Sequence, residues 1–420
     1  MIGQVNNLYS HKCENCGGFI TEDLSDKKDK EWDDIYEEIA EQLLHNKDVK
    51  INAKLHLKTA KTLIDAVNKA VIEEDLGKQN PTLIATLKSN IYPFSAAKSF
   101  QQMVYYRNEM HDKATGKILS KESFIKRIAD TGEIFNKTHL AVEYENAYYS
   151  TIMADKWERF SEDEYLQYST VGDKNVRPSH AVLDKYTAPK SDSFWKNNYP
   201  PNGWNCRCTV IPGKANHQNR LTQQQAGRQL KSENKNSPFW NNVGENKLIF
   251  HDKHPYMINS KGKISNLSWE QYGLPNLEKI RSEELPEYTP TTKEEYINWW
   301  KKQPKIEKDN FILKDKLGNE ILFDSGENMT KPSKKFFKHH ILEKDKHERF
   351  EFATEIPNIL NQPDEIWNNK LDQNSTIYLK FYKTGTLKLV VIDGKAKTLY
   401  KLFEEDGKLN ESRKGILLHR

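Results

Sequence analysis

Large apolar side chains return at three- and four-residue steps through the first third of the chain. Trp32, Ile35, Tyr36, Ile39, Leu43 and Leu44 form one such stripe, the period of a helix that packs one face on a core. The period resumes through residues 55–74, 83–110 and 121–157, so the first 160 residues read as mainly helical. Tyr92-Pro93 is the discordant point: proline lacks the N–H and crowds the preceding turn, which predicts a break and a restart. At Tyr165 the pattern changes, and "YLQYSTV" alternates like a strand. Residues 213–238 carry Gln, Asn, Lys and Arg with few large apolar groups and predict a surface excursion. Residues 275–292 are polar and proline-spaced, the composition of a linker. Beyond them "FILKDKLGNEILF" predicts two strands about a Gly-Asn turn, "STIYLKFYKTGTLKLVVIDG" a hairpin and "KAKTLYKLF" a further strand. The expectation is an α+β multidomain chain: a mainly helical domain over 1–274, a linker over 275–304, and a small α+β domain with a curved antiparallel sheet over 305–420.

Composition adds constraints. At 420 residues the chain suits two or three domains. Charged residues make up 30% and mean hydropathy is -0.86, yet 11% aromatic content argues for packed cores. No apolar run approaches the roughly 18 residues of a membrane span, and Met1-Ile2-Gly3-Gln4 opens no basic-then-apolar leader; synthesis and residence in a cytoplasm are expected. The net charge is +4, and residues 331–420 hold 18 Lys+Arg against 13 Asp+Glu, compared with 46 against 47 elsewhere. That excess permits a polyanionic partner for the C-terminal stretch.

The four cysteines form a C-x-x-C, Cys13 and Cys16, and a C-x-C, Cys206 and Cys208. Few cysteines at close spacing point to metal or redox chemistry rather than a disulfide framework. In "PPNGWNCRC" a turn precedes Trp204, and an extended path then places both thiols on one side, which is half a zinc site.

The segments "NIYPFSAAKSF", "GKILSKESFIKRI", "TVGDKNVRPSHAVLDK", "FWKNNYPPNGWNCRC" and "HPYM", in that order, resemble the phage Mu F-like minor head, or head morphogenesis, proteins over residues 80–257. The resemblance implies a virion component made in the host cytoplasm, with portal and capsid proteins as partners. A related branch of that family carries a C-x-x-C ahead of its Leu-Asp-Gly. Here Arg177 and His180 take those places ahead of Leu183-Asp184, and the C-x-x-C lies at Cys13 and Cys16 instead. The expected metal centre is a structural zinc held by Cys13, Cys16, Cys206 and Cys208; the alternatives draw His180 to the C-x-C pair or leave two pairs of free thiols. Asp173, Arg177 and Asp184 are expected to form an ion-pair lattice that locks the turn.

From Lys334 onward, "HHILEKDKHERFEFATEIPNILNQPDEIWNN", "IYLKFYKTGTLKLVVI", "KTLYKLF" and "ESRKGILLHR" resemble the phage-associated nucleases of the barnase–EndoU–colicin–RelE superfamily, over residues 305–420. The resemblance implies RNA as substrate and cleavage without a metal cofactor. Attack of a ribose 2′-OH on its own phosphate needs a base, an acid and cations for the charge that builds on phosphorus. His340 or His347 can carry protons, Arg349, Lys380 and Arg413 can hold phosphate, and the hydroxyls of Thr398 and Tyr382 can orient it. The combined expectation is a phage or prophage minor head protein with an RNase-like C-terminus, an immunity protein as further partner, no membrane association, and residence in host cytoplasm and virion. Its rivals are an inert C-terminal docking module and an interbacterial toxin that reuses the head domain.

Overall fold

The structure, a computed structural model, describes residues 8–9, 30–78, 80–231, 237–276, 279–280, 283–326, 336–342, 349–369, 375–402 and 408–420. The chain divides into two compact units, Met1–Lys261 and Gly262–Arg420.

The N-terminal unit is built on helices α1 (Lys30–His45), α2 (Ala53–Glu73), α3 (Pro81–Asn108), α4 (Lys121–Glu133) and α5 (Leu140–Arg159). The stripe read from the sequence seats α1, where Ile35, Tyr36, Ile39 and Leu43 are buried. Asn52, Asn80 and Ser120 cap the next three helices by accepting from the backbone three residues on. Proline does not break α3: Pro93 sits inside a continuous helix. Residues 91–103 are all buried, so packing on every side holds the backbone where one hydrogen bond is missing. A π turn, Ile134–His139, separates α4 from α5. Strands β1 (Tyr165–Ser169), β2 (Thr187–Pro189) and β3 (Thr209–Pro212) form a small antiparallel sheet in the order β2-β1-β3. Helix α6 (Pro255–Ile264) follows a polar excursion.

The C-terminal unit begins earlier than composition suggests. Trp269 N–H donates to Arg413 O and Gly415 N–H to Leu267 O, which ties residues before 275 to the end of the chain. The stretch 275–304, expected as a linker, belongs to this unit as well. Thr292 and Glu295 make a capping box that starts α7 (Lys293–Lys302), and Tyr296 and Trp300 are fully buried in the core. Strands β4 (Phe311–Lys314) and β5 (Glu320–Phe323) pair as the expected hairpin. Short helices α8 (Phe337–Ile341) and α9 (Ile356–Asn361), with a 3-10 turn at Arg349–Glu355 between them, precede β6 (Glu365–Asn369), β7 (Ser375–Tyr382), β8 (Gly385–Ile392), β9 (Lys395–Leu402), helix α10 (Lys408–Ser412) and β10 (Ile416–His419). The sheet order is β10-β6-β7-β8-β9-β5-β4. All pairs are antiparallel except one short parallel contact of β5 with β9. No described helix is long and apolar enough to cross a membrane.

Candidate functional site

Chemistry gathers at one place in each unit. In the N-terminal unit a short helical turn, Pro178–Ala181, carries His180 inward, and the loop after the Pro200–Gly203 turn brings Cys206 and Cys208 to meet it. All three are buried. His180 Nδ1 lies 3.7 Å from Cys206 Sγ and 3.5 Å from Cys208 Sγ. Ligand bonds of about 2.3 Å to sulfur and about 2.0 Å to nitrogen at tetrahedral angles place such atoms about 3.6 Å apart, close to both His–Cys separations, and the three ligand atoms all lie within 4.8 Å of one another. The two thiols form a coupled pair: the hydrogen bond between them and the contact with His180 hold Cys206 well below the usual thiol range, while the same bond and burial push Cys208 up. The trio lines a small concavity with Val171, Asn175 and Arg177.

The donor set therefore follows the His180 alternative for its described part; Cys13 and Cys16 lie outside the described residues. The ion-pair lattice expected around the turn does not form. Asp173 pairs with Arg207 at 2.8 Å, Arg177 donates to Trp204 O at 2.7 Å, and Asp184 accepts from the Thr170 backbone and hydroxyl. Each fixes a different loop, because the turn brings backbone carbonyls, not carboxylates, to Arg177.

In the C-terminal unit α8 and the 3-10 turn pack on β9. His340 Nε2 stands 2.8 Å from Thr398 Oγ1. The Arg349 guanidinium touches the same imidazole, with Nη1 3.3 Å from Nδ1 and closer to Nε2, and lies over the Tyr400 ring at 4.8 Å. Arg349 is only 8% exposed, its Nε is buried without a hydrogen-bond partner, and among the described residues no carboxylate pairs with it. Three of the six expected residues, His340, Arg349 and Thr398, are thus one cluster.

Arg413 and Lys380 are not placed with it. Arg413 is fully buried and bound in forked fashion to Glu365, Nε to Oε2 at 2.8 Å and Nη2 to Oε1 at 2.7 Å, with Nη1 donating to Pro275 O. Trp367 also donates to Glu365, and Trp269 lies against the guanidinium, so Arg413 is a structural cation. Lys380 pairs with Asp364 at 3.2 Å. Thr398 is in register with Val390 and Val390 with Ile377; Lys380, three residues beyond Ile377, faces the other side of the sheet. Tyr382 donates to Glu355 at 2.5 Å. His347 lies outside the described residues. Tyr400 was missed, although it stands two residues after Thr398 on the same strand, the spacing that puts two side chains on one face.

Residues 114–211 match the family described as Phage Mu protein F like protein. Residues 306–420 match phage-Barnase-EndoU-ColicinE5/D-RelE like nuclease2. The chain therefore carries a Mu F-like region followed by a phage nuclease-like domain. Protein F of Escherichia phage Mu, named as a capsid assembly protein, is 52% identical over 46 residues, 11% of this chain and 10% of that protein. The Mu-like prophage FluMu F protein of Haemophilus influenzae is 35% identical over 74 residues, 18% of each. The chain spans less than a fifth of the length of these curated relatives. No solved structure matches the chain.

Proposed function

We propose that this is a phage or prophage head morphogenesis protein that carries a metal-independent endoribonuclease as its C-terminal unit. The observation that carries the nuclease reading is Arg349: a nearly buried cation with no carboxylate partner among the described residues, set against a histidine and a hydroxyl. Such a cation is stabilised by an arriving anion, and a phosphate diester supplies one. A base removes the proton of a ribose 2′-OH, the oxygen attacks phosphorus, the bond to the 5′ oxygen breaks, and an acid returns a proton to it. His340 is one proton carrier and His347 the candidate for the other; Arg349 holds the charge that builds on the phosphoryl oxygens, and Thr398 orients His340. The full-length protein is expected to cleave RNA in EDTA, and His340→Ala to lower the rate by on the order of a hundredfold. Equal rates, or an inactive wild type, would instead support the docking-module reading.

The Mu F-like region supports partners among portal and capsid proteins and a place in virion and host cytoplasm; an immunity protein would restrain the nuclease in the host. The trio of His180, Cys206 and Cys208 is the core of a structural zinc centre, completed by Cys13 or Cys16. Tyr9 stacks on Trp204 at 5.0 Å, two residues before Cys206, and the four residues from Tyr9 to Cys13 can span at most about 14 Å. Metal analysis of wild type against Cys206→Ser/Cys208→Ser should give about one zinc per chain against none; a Cys13→Ser/Cys16→Ser chain that keeps full zinc affinity would remove the N-terminal pair from the set.

A further inference from the structure

A second polar site lies in the N-terminal unit, apart from the cysteines. Lys98 of α3 and Glu143 of α5 are both fully buried and meet at 2.5 Å. Glu143 gives Lys98 one oxygen and gives the other to the hydroxyl of Tyr9, which donates to it at 2.5 Å. Tyr9 comes from 134 residues away. His254 Nε2 stands 3.2 Å from the same hydroxyl. The Tyr9 ring stacks on His139 at 3.8 Å and 16°, and on Trp204 at 5.0 Å and 20°. The π turn between α4 and α5 sets His139 there, and such turns recur where a helix must aim a side chain at a functional point.

The pocket matches a phenol at both ends. Aromatic planes hold the ring, and a carboxylate already tied to lysine keeps one oxygen for the hydroxyl. Without that hydroxyl, the acceptor Glu143 Oε1 and the donor His254 Nε2, whose Nδ1 already accepts from the Tyr256 backbone, each lose a partner in a buried place, where an unmet polar group is costly. We propose that this is a tyrosine socket, a phenol-binding site whose occupant is the chain's own N-terminal segment, tethered to the N-terminal unit through Tyr9. It depends on neither zinc nor nuclease activity.

The test uses full-length Tyr9→Ala and Tyr9→Phe, thermal melting of the N-terminal unit, and the probes p-cresol and toluene. Tyr9→Phe keeps the stacking and loses the donor, so it should melt lower than wild type by on the order of 2–4 °C, and Tyr9→Ala lower again. p-Cresol should raise the melting temperature of Tyr9→Ala and leave wild type unchanged, with toluene less effective. If both variants melt like wild type, the segment is not seated and the proposal fails. It also fails if toluene rescues as well as p-cresol, because the hydroxyl is then not recognised. Should Tyr9→Ala not fold, the comparison of Tyr9→Phe with wild type decides in the same way.

Discussion

Arg413 and Arg349 are both shielded guanidinium groups of the C-terminal unit, and they are held in opposite ways. Arg413 is locked in a forked pair with Glu365 between two tryptophans. Arg349 has an imidazole, a tyrosine ring and no carboxylate among the described residues. Withdrawing such a cation from water costs several kcal/mol, which a well-placed carboxylate offsets. At Arg413 the Glu365 carboxylate supplies that offset and the residue is scaffold; at Arg349, in the proposed function, the substrate's phosphate supplies it. What separates a structural arginine from a binding one is thus its partner, not its burial or its residue type. The N-terminal unit offers a similar contrast: Lys98 is matched by Glu143, while the buried thiols of Cys206 and Cys208 meet the His180 imidazole at 3.7 and 3.5 Å.

The comparison breaks first at Arg413. Arg413→Ala strands Glu365 and should cost the C-terminal unit about 3–5 kcal/mol in denaturant melts; an unchanged melt would end the scaffold reading. Arg349→Ala should do the reverse, keeping or raising the melting point while RNA cleavage falls by on the order of a hundredfold, about 2.7 kcal/mol of barrier. Early melting of that variant would make Arg349 a second scaffold residue. Cys206→Ser/Cys208→Ser should lose zinc and weaken the N-terminal unit in melts, yet leave cleavage within about twofold, since proton carriers and cation belong to the other unit. Smallest is Lys380→Ala. A partly exposed pair with Asp364 contributes about 0–1 kcal/mol, and the lysine faces away from Thr398, so cleavage should change by less than about threefold.

Much of this was legible in the sequence because it is local. Periodicity found α1 and the strands β4, β5, β7, β8 and β9 of the C-terminal sheet, though not β6 or β10, and the phrases around Trp204 marked the loop that carries Cys206 and Cys208. Less legible were features that depend on distant partners. Pro93 reads as a breaker, and burial on all sides overrides it. Residues 275–304 read as a linker because proline and charge dominate the average, although Thr292, Glu295, Tyr296 and Trp300 spell a capped amphipathic helix. Arg413 and Arg349 look alike in one dimension, since Glu365 lies 48 residues from Arg413 and only the pairing of β10 with β6 brings them together. Gly415 records that closeness: a Cβ there would meet Asn368 O at 2.1 Å. Tyr9 gave no signal, because its site is assembled from α3, α5, the π turn and the start of α6.

The most direct measurement is the chemistry of the cut ends. Full-length protein, in EDTA, should act on an RNA oligonucleotide to leave 2′,3′-cyclic phosphate and 5′-hydroxyl termini, and a single 2′-deoxy substitution at the cleaved position should abolish the cut there, because the nucleophile is the substrate's own 2′-OH. Termini bearing 5′-phosphate, or cleavage that persists at the deoxy position, would contradict the account.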